Sequence, residues 1–434
     1  MTASQSIETM SRDDLAQLQI ERLQTTLNRV YRNVAFYKQA LDSHEIEIEK
    51  IRTLQDIREL PFTTKEDLRV SYPYDMFALP LRDIVRIHAS SGTTGRPIVV
   101  GYSKNDILHW SELVGRELSW AGVTEHDVVQ IGFTYGLFTG GFGFHFGAEK
   151  IGASVIPASS QGNLRDQITI MKDFKTSALI CSPSTALSIA RIFKTMDLRP
   201  EQMHLKRGIF GSEAWSETVR SEIEDTFHIT AYDSYGMSEI MGPGVSGECE
   251  KRNGLHVNED HFIVEVINPA TLQPCAEGEE GELVFTTITK EAFPLIRFRT
   301  GDRASLLLGQ CECGRTFVRM SRVKGRTDDM IMIQGTKLFP SQILDALLGV
   351  SGIAPLCMIV LDRTDNTDTI EVRVAVDSAS EFIDEIKTIE NLRKTVSLRL
   401  RNALGITAGI SFMEEGSLQN ETRGKKQPLV MDRR

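Results

Sequence analysis

The sequence predicts an α/β protein: a large N-terminal domain of α/β layers that includes a β-rich subdomain, with a small mobile α+β domain at the C-terminus. Three changes of texture predict it. From residue 84 to about 240, short β-rich runs alternate with helical stretches, the pattern of a sheet covered by helices. After residue 255, strands follow one another across Gly, Pro and Asn turns. From about 328, strands and helices mix in a unit of about a hundred residues, enough to fold as a domain. The expected boundaries are 1–327, with the subdomain at about 250–325, and 328–434, hinged at Gly325-Arg-Thr-Asp-Asp-Met330.

Taken in order, Leu23, Leu27, Val30, Tyr31 and Val34 recur at helical spacing and predict one long amphipathic helix over 12–42. Pro61–Lys65 reads as a helix start capped by Thr63 or Thr64, and Ser103-Lys-Asn-Asp106 as a capping box. Val128–Phe133, Ala153–Pro157, Ala178–Cys181 and Arg207–Phe210 are expected strands; Leu164–Phe174 and Ser184–Phe193 are expected helices. Further strands are expected at His261–Ile267, Gly281–Thr287 and Ala304–Leu308. The last domain reads as Met330–Ile333, a helix from Pro340, strands at Pro355–Leu361 and Thr369–Val376, and a helix over Asn391–Leu404.

Composition narrows the class. A formal charge of −10, with no basic tract before the last dozen residues, argues against a nucleic-acid partner. No apolar run approaches bilayer-spanning length, and the start lacks a basic-then-apolar signal, so no membrane partner and a cytoplasmic location are expected. Six cysteines in 434 residues do not suggest a disulfide framework.

The most informative stretch is His88-Ala-Ser-Ser-Gly-Thr-Thr-Gly-Arg-Pro97. Its glycines let a backbone approach an anion, its hydroxyls donate to phosphate oxygens, and Arg96 adds charge. It is not a Walker A loop, because only Thr93 and Thr94 separate Gly92 from Gly95 and the chain leaves as a strand. The expected geometry is strand–loop–strand over phosphates; taken alone, an ordinary polar turn fits as well.

Four further segments bear on chemistry. Asp233-Ser-Tyr-Gly-Met-Ser-Glu239 sets a hydroxyl and a carboxylate beside a glycine turn, suited to phosphate and Mg²⁺. Phe298-Arg-Thr-Gly-Asp302 places a carboxylate at a turn, where it can accept both ribose hydroxyls. Gly325–Asp329 and Arg423-Gly-Lys-Lys426 complete the set, although a basic pair near a chain end is usually solvated. Each has a bland reading as a turn or a surface charge.

Their order decides among them. The Ser/Thr/Gly loop, Gly211-Ser-Glu-Ala-Trp215, Tyr-Gly-x-Ser-Glu, Arg-Thr-Gly-Asp, Gly-Arg-x-Asp-Asp and a late Gly-Lys follow the pattern of acyl-adenylate-forming enzymes. With Tyr135-Gly-Leu-Phe-Thr-Gly-Gly141, Gly147–Lys150, Glu279–Phe285 and Phe339–Gln342, nearly the whole chain resembles the phenylacetate–coenzyme A ligase family, the aryl-acid branch of that superfamily.

The resemblance implies an ATP-dependent aryl-acid:CoA ligase, using ATP, Mg²⁺ and coenzyme A and releasing AMP and pyrophosphate. Ser90, Ser91, Gly92, Thr93, Thr94 and Gly95 would form the phosphate loop, with Arg96 where the family more often has Lys. Glu239 would bind Mg²⁺ and Ser238 the phosphate; Tyr235 would flank the adenine, beside Asp233, Gly236 and the adenine-side loop Gly211, Ser212 and Glu213. Asp302 would hold the ribose hydroxyls, Arg326 ribose or phosphate, and Asp328 would be the pivot between two domain orientations. Lys425 would neutralise charge during adenylation, with Lys426 an adjacent competitor.

The acid's pocket is expected over Phe133–Phe146, with Tyr135, Phe138 and Gly140 beside Gly211 and Gly236, an apolar slot for a flat ring. Core packing is the plain alternative for such a run. Cys249, His256, Cys311 and Cys313 form two pairs of soft ligands and suggest structural zinc, as some members of the family carry in this region; His261 competes with His256, and idle thiols are the alternative. A homodimer stays open. So do two other functions: an adenylating enzyme with another acceptor, such as a flavin-cofactor adenylyltransferase, and a non-catalytic zinc-stabilised nucleotide-binding protein.

Overall fold

The computed structural model describes residues 7–90, 97–159, 163–196, 198–307, 309–327, 331–333, 336–348, 350–364, 367–376, 386–422 and 429–433. By internal contacts the chain divides into two compact units, residues 1–213 with 223–323, and residues 214–222 with 324–434.

The first unit is built on a nine-stranded sheet. Its parallel part comprises β3 (Val128–Ile131), β4 (Ser154–Ile156), β5 (Ala178–Cys181), β6 (Arg207–Gly211) and β7 (Thr230–Met237), in the order β4-β3-β5-β6-β7. Strand β5, Ala-Leu-Ile-Cys, is buried at every position, as a strand covered on both faces must be. The helices Gly140–Lys150, Leu164–Asp173 and Pro183–Thr195 make the crossovers that parallel pairing requires. Beyond β7 the sheet turns antiparallel through β8 (Gly242–Glu248), β9 (Leu255–Val257), β14 (Arg319–Met320) and β13 (Leu306–Leu307). A small hairpin, β1 (Arg86–Ala89) and β2 (Val99–Tyr102), stands apart from it.

In the first unit the structure differs from the sequence reading at points that shape the core. The segment after residue 255 is not one separate sheet: β10 (Phe262–Ile267), β11 (Gly281–Thr287) and β12 (Phe298–Ala304) pair antiparallel with one another, whereas β9, β13 and β14 extend the large sheet. The texture changed because pairing turned antiparallel, not because a new core began. The first helix is also broken, into Arg12–Asn33 and Ala35–Ser43, with Val34 extended at φ −118° and ψ 108°. Val34 is 1% exposed and packs in the same core as Tyr37 and Leu41, so burial on the second helix sets the break, which periodicity does not show.

Capping matches the sequence signals. Thr64 and Ser103 each complete a box, with Asp67 and Asp106 three residues on.

The second unit holds β15 (Gly325–Arg326), the hairpin β16 (Ile331–Ile333) and β17 (Thr336–Leu338), and a four-stranded sheet. In that sheet β18 (Ile353–Thr364) and β19 (Thr367–Val376) are antiparallel, while β20 (Gly409–Glu414) and β21 (Leu429–Asp432) flank them in parallel, in the order β20-β19-β18-β21. The helices Pro340–Leu347, Ile386–Leu404 and Glu415–Thr422 accompany it. Among the described residues no helix is long and apolar enough to cross a membrane.

Candidate active site

The hairpin is the expected strand–loop–strand. β1 and β2 pair from Arg86↔Tyr102 to Ala89↔Val99. The Ser90 N–H donates to the Ile98 carbonyl at 3.0 Å, and its Oγ accepts from the Ile98 N–H at 3.3 Å, closing the base of the loop. Ser91, Gly92, Thr93, Thr94, Gly95 and Arg96 lie outside the described residues, as do Asp328 and Lys425. Arg326 is half-buried on β15 of the second unit.

The residues expected on the adenine side sit where adjacent parallel strands end, the usual ligand crevice of such sheets. Gly211 on β6 pairs with Ser234 on β7. A Cβ at Gly211 would come 2.3 Å from the Ser234 carbonyl oxygen, and one at Gly236 would come 2.0 Å from that of Gly242. Both glycines are therefore fixed by backbone approach. Ser212 follows in the left-handed region, φ 72°, a strained position for a serine. Glu213 accepts from the Ser184 hydroxyl at 2.8 Å. The Asp233 N–H donates to Glu248 at 2.8 Å, and Arg322 Nε donates to the Asp233 carboxylate at 2.9 Å.

Two contacts bring separate motifs together. The Tyr235 hydroxyl donates to Asp302 Oδ2 at 2.9 Å, tying β7 to β12, while the Tyr235 ring stacks on Phe285 at 6.0 Å. Asp302 is buried, and its N–H donates to the Thr300 hydroxyl at 2.9 Å, which donates to the Leu283 carbonyl at 2.8 Å. The second contact joins Ser238 Oγ and Thr139 Oγ1 at 2.9 Å, both buried. It sets the glycine-rich aromatic segment against the turn that carries Glu239, itself 5% exposed.

The aromatic segment is an ordered stack. Phe133 lies parallel to Phe144 at 5.6 Å, and Tyr135 meets Phe142 edge-on at 5.2 Å. The Tyr135 hydroxyl is 3.2 Å from His145 Nδ1, and burial pushes the phenol up to about 12. A Cβ at Gly140 would come 2.7 Å from the Phe138 ring, so that glycine makes room for the phenylalanine.

Cys249, His256, Cys311 and Cys313 converge, with one ligand atom from each within 4.8 Å of the others. Cys249 and Cys311 Sγ atoms are 3.8 Å apart, and Cys313 Sγ lies 3.4 Å from His256 Nε2. A tetrahedral zinc with Zn–S bonds of about 2.3 Å separates its sulfurs by about 3.8 Å. His256 Nδ1 lies 3.3 Å from the Phe317 carbonyl, which fixes the tautomer that turns Nε2 to the cluster. His261, the competitor, instead pairs with Asp260 and Thr289.

Sequence reasoning missed several residues here. Thr139, Ser184 and Arg322 partner Ser238, Glu213 and Asp233. Lys290 is 1% exposed, and its ammonium donates to the Glu239 and Ile240 carbonyls at 3.3 and 2.8 Å. Burial pushes that ammonium down to about 7, which Asp106 and Glu239 offset in part. No motif marks Ser184, Arg322 or Lys290, while Thr139 lies inside the Tyr135–Gly141 motif but carried no expected role there. Their partners lie tens to a hundred residues away, so only the fold reveals them.

Glu117 was missed too. It is 2% exposed beneath β8, packed on Gly247, and burial pushes its carboxyl up to about 8; Asp233 adds to the shift, and Ser234 and Gly244 offset part of it. A carboxyl raised on folding binds a proton that the unfolded chain releases above its ordinary pKa. Its cost is therefore absent below that ordinary value and grows as pH rises towards 8. Glu117→Gln is expected to raise stability at pH 9 by about 5 kcal/mol and to change nothing at pH 4. Denaturant titrations at the two pH values check this; equal effects at both would refute it.

Comparison with known proteins gives the family. Residues 15–289 match the model of the AMP-binding enzyme family, and residues 335–434 match that of the AMP-binding enzyme C-terminal domain. The phenylacetate-coenzyme A ligase of Thermus thermophilus is 39% identical over 96% of this chain and 97% of its own length. That of Escherichia coli is 41% identical over 95% of this chain and 94% of its own. The chain belongs to the phenylacetate–coenzyme A ligase family. Members of this family are AMP-forming acid–thiol ligases of the acyl-adenylate-forming superfamily, and the chain is one of them. Among solved structures, 2-hydroxyisobutyryl-CoA ligase in the postadenylation state superposes with a TM-score of 0.89 at 25% identity, over 99% of this chain and 92% of that one. The same enzyme in the thioesterification state gives 0.72.

Proposed function

We propose that this ligase joins phenylacetate to coenzyme A, with the site residues in the roles that their motifs imply. The observation that carries the site reading is the Tyr235–Asp302 hydrogen bond, which joins the adenine-side and ribose-side motifs in one buried unit. In the first half-reaction a substrate carboxylate oxygen attacks the α-phosphorus of ATP and pyrophosphate leaves. In the second the thiol of coenzyme A attacks the acyl carbonyl and AMP leaves.

Joining two anions requires donors and cations that strengthen as the phosphorus becomes five-coordinate. Ser90 to Gly95 and Ser238 would supply donors, Arg326 and Lys425 charge, and Asp302 a fixed acceptor for the ribose; Gly211, Ser212, Glu213, Asp233 and Gly236 would line the adenine side. The buried Glu239 fits a magnesium ion, which when bound would neutralise phosphate charge. Tyr135, Phe138 and Gly140 would hold the aromatic ring, and Asp328 would be the pivot for the change of domain orientation between half-reactions.

A pyrophosphate-release screen over aromatic acids, with and without coenzyme A, tests this. Release that requires phenylacetate, with thioester appearing only when coenzyme A is present, is the expected result. Turnover that needs no acid would favour an adenylyltransferase instead.

The cysteine–histidine cluster fits structural zinc, since it offers three sulfurs and one imidazole within 4.8 Å of one another, two of the sulfurs at 3.8 Å. Protein purified without added zinc is expected to carry close to one zinc per chain by elemental analysis, and chelation to lower its melting temperature by several degrees. A stoichiometry near zero would end the idea. A cytoplasmic location is part of the same reading.

A further inference from the structure

Among the described residues, Lys290 has no carboxylate in direct contact, although it is fully buried. Its nearest partners are two consecutive backbone carbonyls, those of Glu239 and Ile240. A third, that of Met241, accepts from the Tyr102 hydroxyl at 2.9 Å, and the Lys290 ammonium lies 4.7 Å from the Tyr102 ring centroid. Two buried side chains thus hold three successive carbonyls of one tight turn, in which the Ile240 and Met241 N–H groups both donate to the Met237 carbonyl. Adjacent carbonyls with parallel dipoles repel one another, and an ammonium with three donors suits such a cluster.

Lys290 is itself anchored. The N–H groups of Glu291 and Ala292 donate to the two oxygens of Asp106 at 2.7 and 3.0 Å, the acid that closes the capping box at Ser103. Phe293 packs against the Lys290 ammonium from another side, at 5.4 Å. A helix cap, a buried lysine and a turn therefore form one chain of contacts that ends at Glu239.

We propose that Lys290 is a positioning residue for the metal-binding turn: by gripping the Glu239 and Ile240 carbonyls, it fixes where the Glu239 carboxylate stands to receive the magnesium of ATP. This rests on the reading that Glu239 meets that metal. In this role Lys290 acts through the backbone of its neighbour rather than on substrate.

The test compares Lys290→Met, Lys290→Gln and Glu239→Gln. Calorimetric titration of ATP without acid, in magnesium or in EDTA, measures how much the metal strengthens binding; the magnesium concentration for half-maximal pyrophosphate release is the second readout. Lys290→Met is expected to lose about tenfold of the magnesium-dependent gain in ATP affinity, to need about tenfold more magnesium, and to keep its KM for the acid within twofold. Lys290→Gln, which can still donate to one carbonyl, should lie between, and it carries the test if Lys290→Met does not fold. If the Lys290 variants keep the wild-type magnesium dependence while Glu239→Gln loses it, the positioning role is wrong and the Glu239 reading stands. If Glu239→Gln also keeps it, both fall. A uniform drop in kcat with magnesium dependence unchanged would likewise overturn the proposal, since it would mark general damage to the fold.

Discussion

Lys425→Ala is expected to slow acyl-adenylate formation at least about a hundredfold, roughly 2.7 kcal/mol of barrier, while thioester formation from supplied acyl-adenylate survives. Attack of a carboxylate on the α-phosphate of ATP brings like charges together and spreads more onto the leaving pyrophosphate. A lysine that neutralises this charge matters most in the transition state, so its loss should fall on kcat rather than on KM. The second half-reaction starts from a mixed anhydride already formed and expels AMP with less charge in play. Rapid-quench measurement of each half-reaction separates the two. An equal loss in both would refute the assignment, and a comparable loss in Lys426→Ala with Lys425→Ala unaffected would transfer the role to the neighbouring residue.

How far the fold could be read in advance depended on the range of the forces that set it. Ala178–Cys181 and Gly281–Thr287 are strands from first to last residue as expected, because a run of apolar or β-prone residues between turn signals is a local property. The boxes at Thr64 and Ser103 were legible for the same reason: donor and acceptor lie three residues apart. The break at Val34 was not, since it depends on what the second helix packs against. In the second unit β18 begins at Ile353 rather than Pro355, with a register shift before Cys357. A proline cannot donate to a ladder and so reads as a strand boundary, yet here the strand runs through it across the irregularity.

The site divides along the same line. Motif residues such as Tyr235, Ser238, Glu239 and Asp302 were nameable because short patterns carry them. Their supports were not. Arg322, Lys290 and Glu117 reach the site from elements far away in sequence, and nothing in their local context separates them from ordinary core or surface residues. Glycines show both sides: Gly211 and Gly236 were expected beside the ligand, and the structure adds that a side chain at either would strike backbone, so their substitution would disturb the strands before it touched any substrate.

Asp302→Ala is the other change expected to act strongly, and it isolates the ribose. The carboxylate is held on β12 by the Tyr235 hydroxyl at 2.9 Å and stiffened by the Thr300 bond to its own backbone, so it is ordered before a nucleotide arrives. Two ribose hydroxyls donating to it would form charge-assisted hydrogen bonds worth about 1.5 kcal/mol each, together about a hundredfold in kcat/KM for ATP. The KM for the acid should stay within about threefold. Tyr235→Phe keeps the charge and removes only the phenol, so a smaller loss, about fivefold, is expected. The decisive measurement pairs the variants with 2′,3′-dideoxy-ATP. Wild type should discriminate against it about a hundredfold, and Asp302→Ala should scarcely discriminate at all, because contacts that act as a unit are lost once, not twice. A variant that still prefers ATP by the wild-type factor would show that Asp302 does not hold the ribose, and its bond to Tyr235 would then serve only to tie β7 to β12.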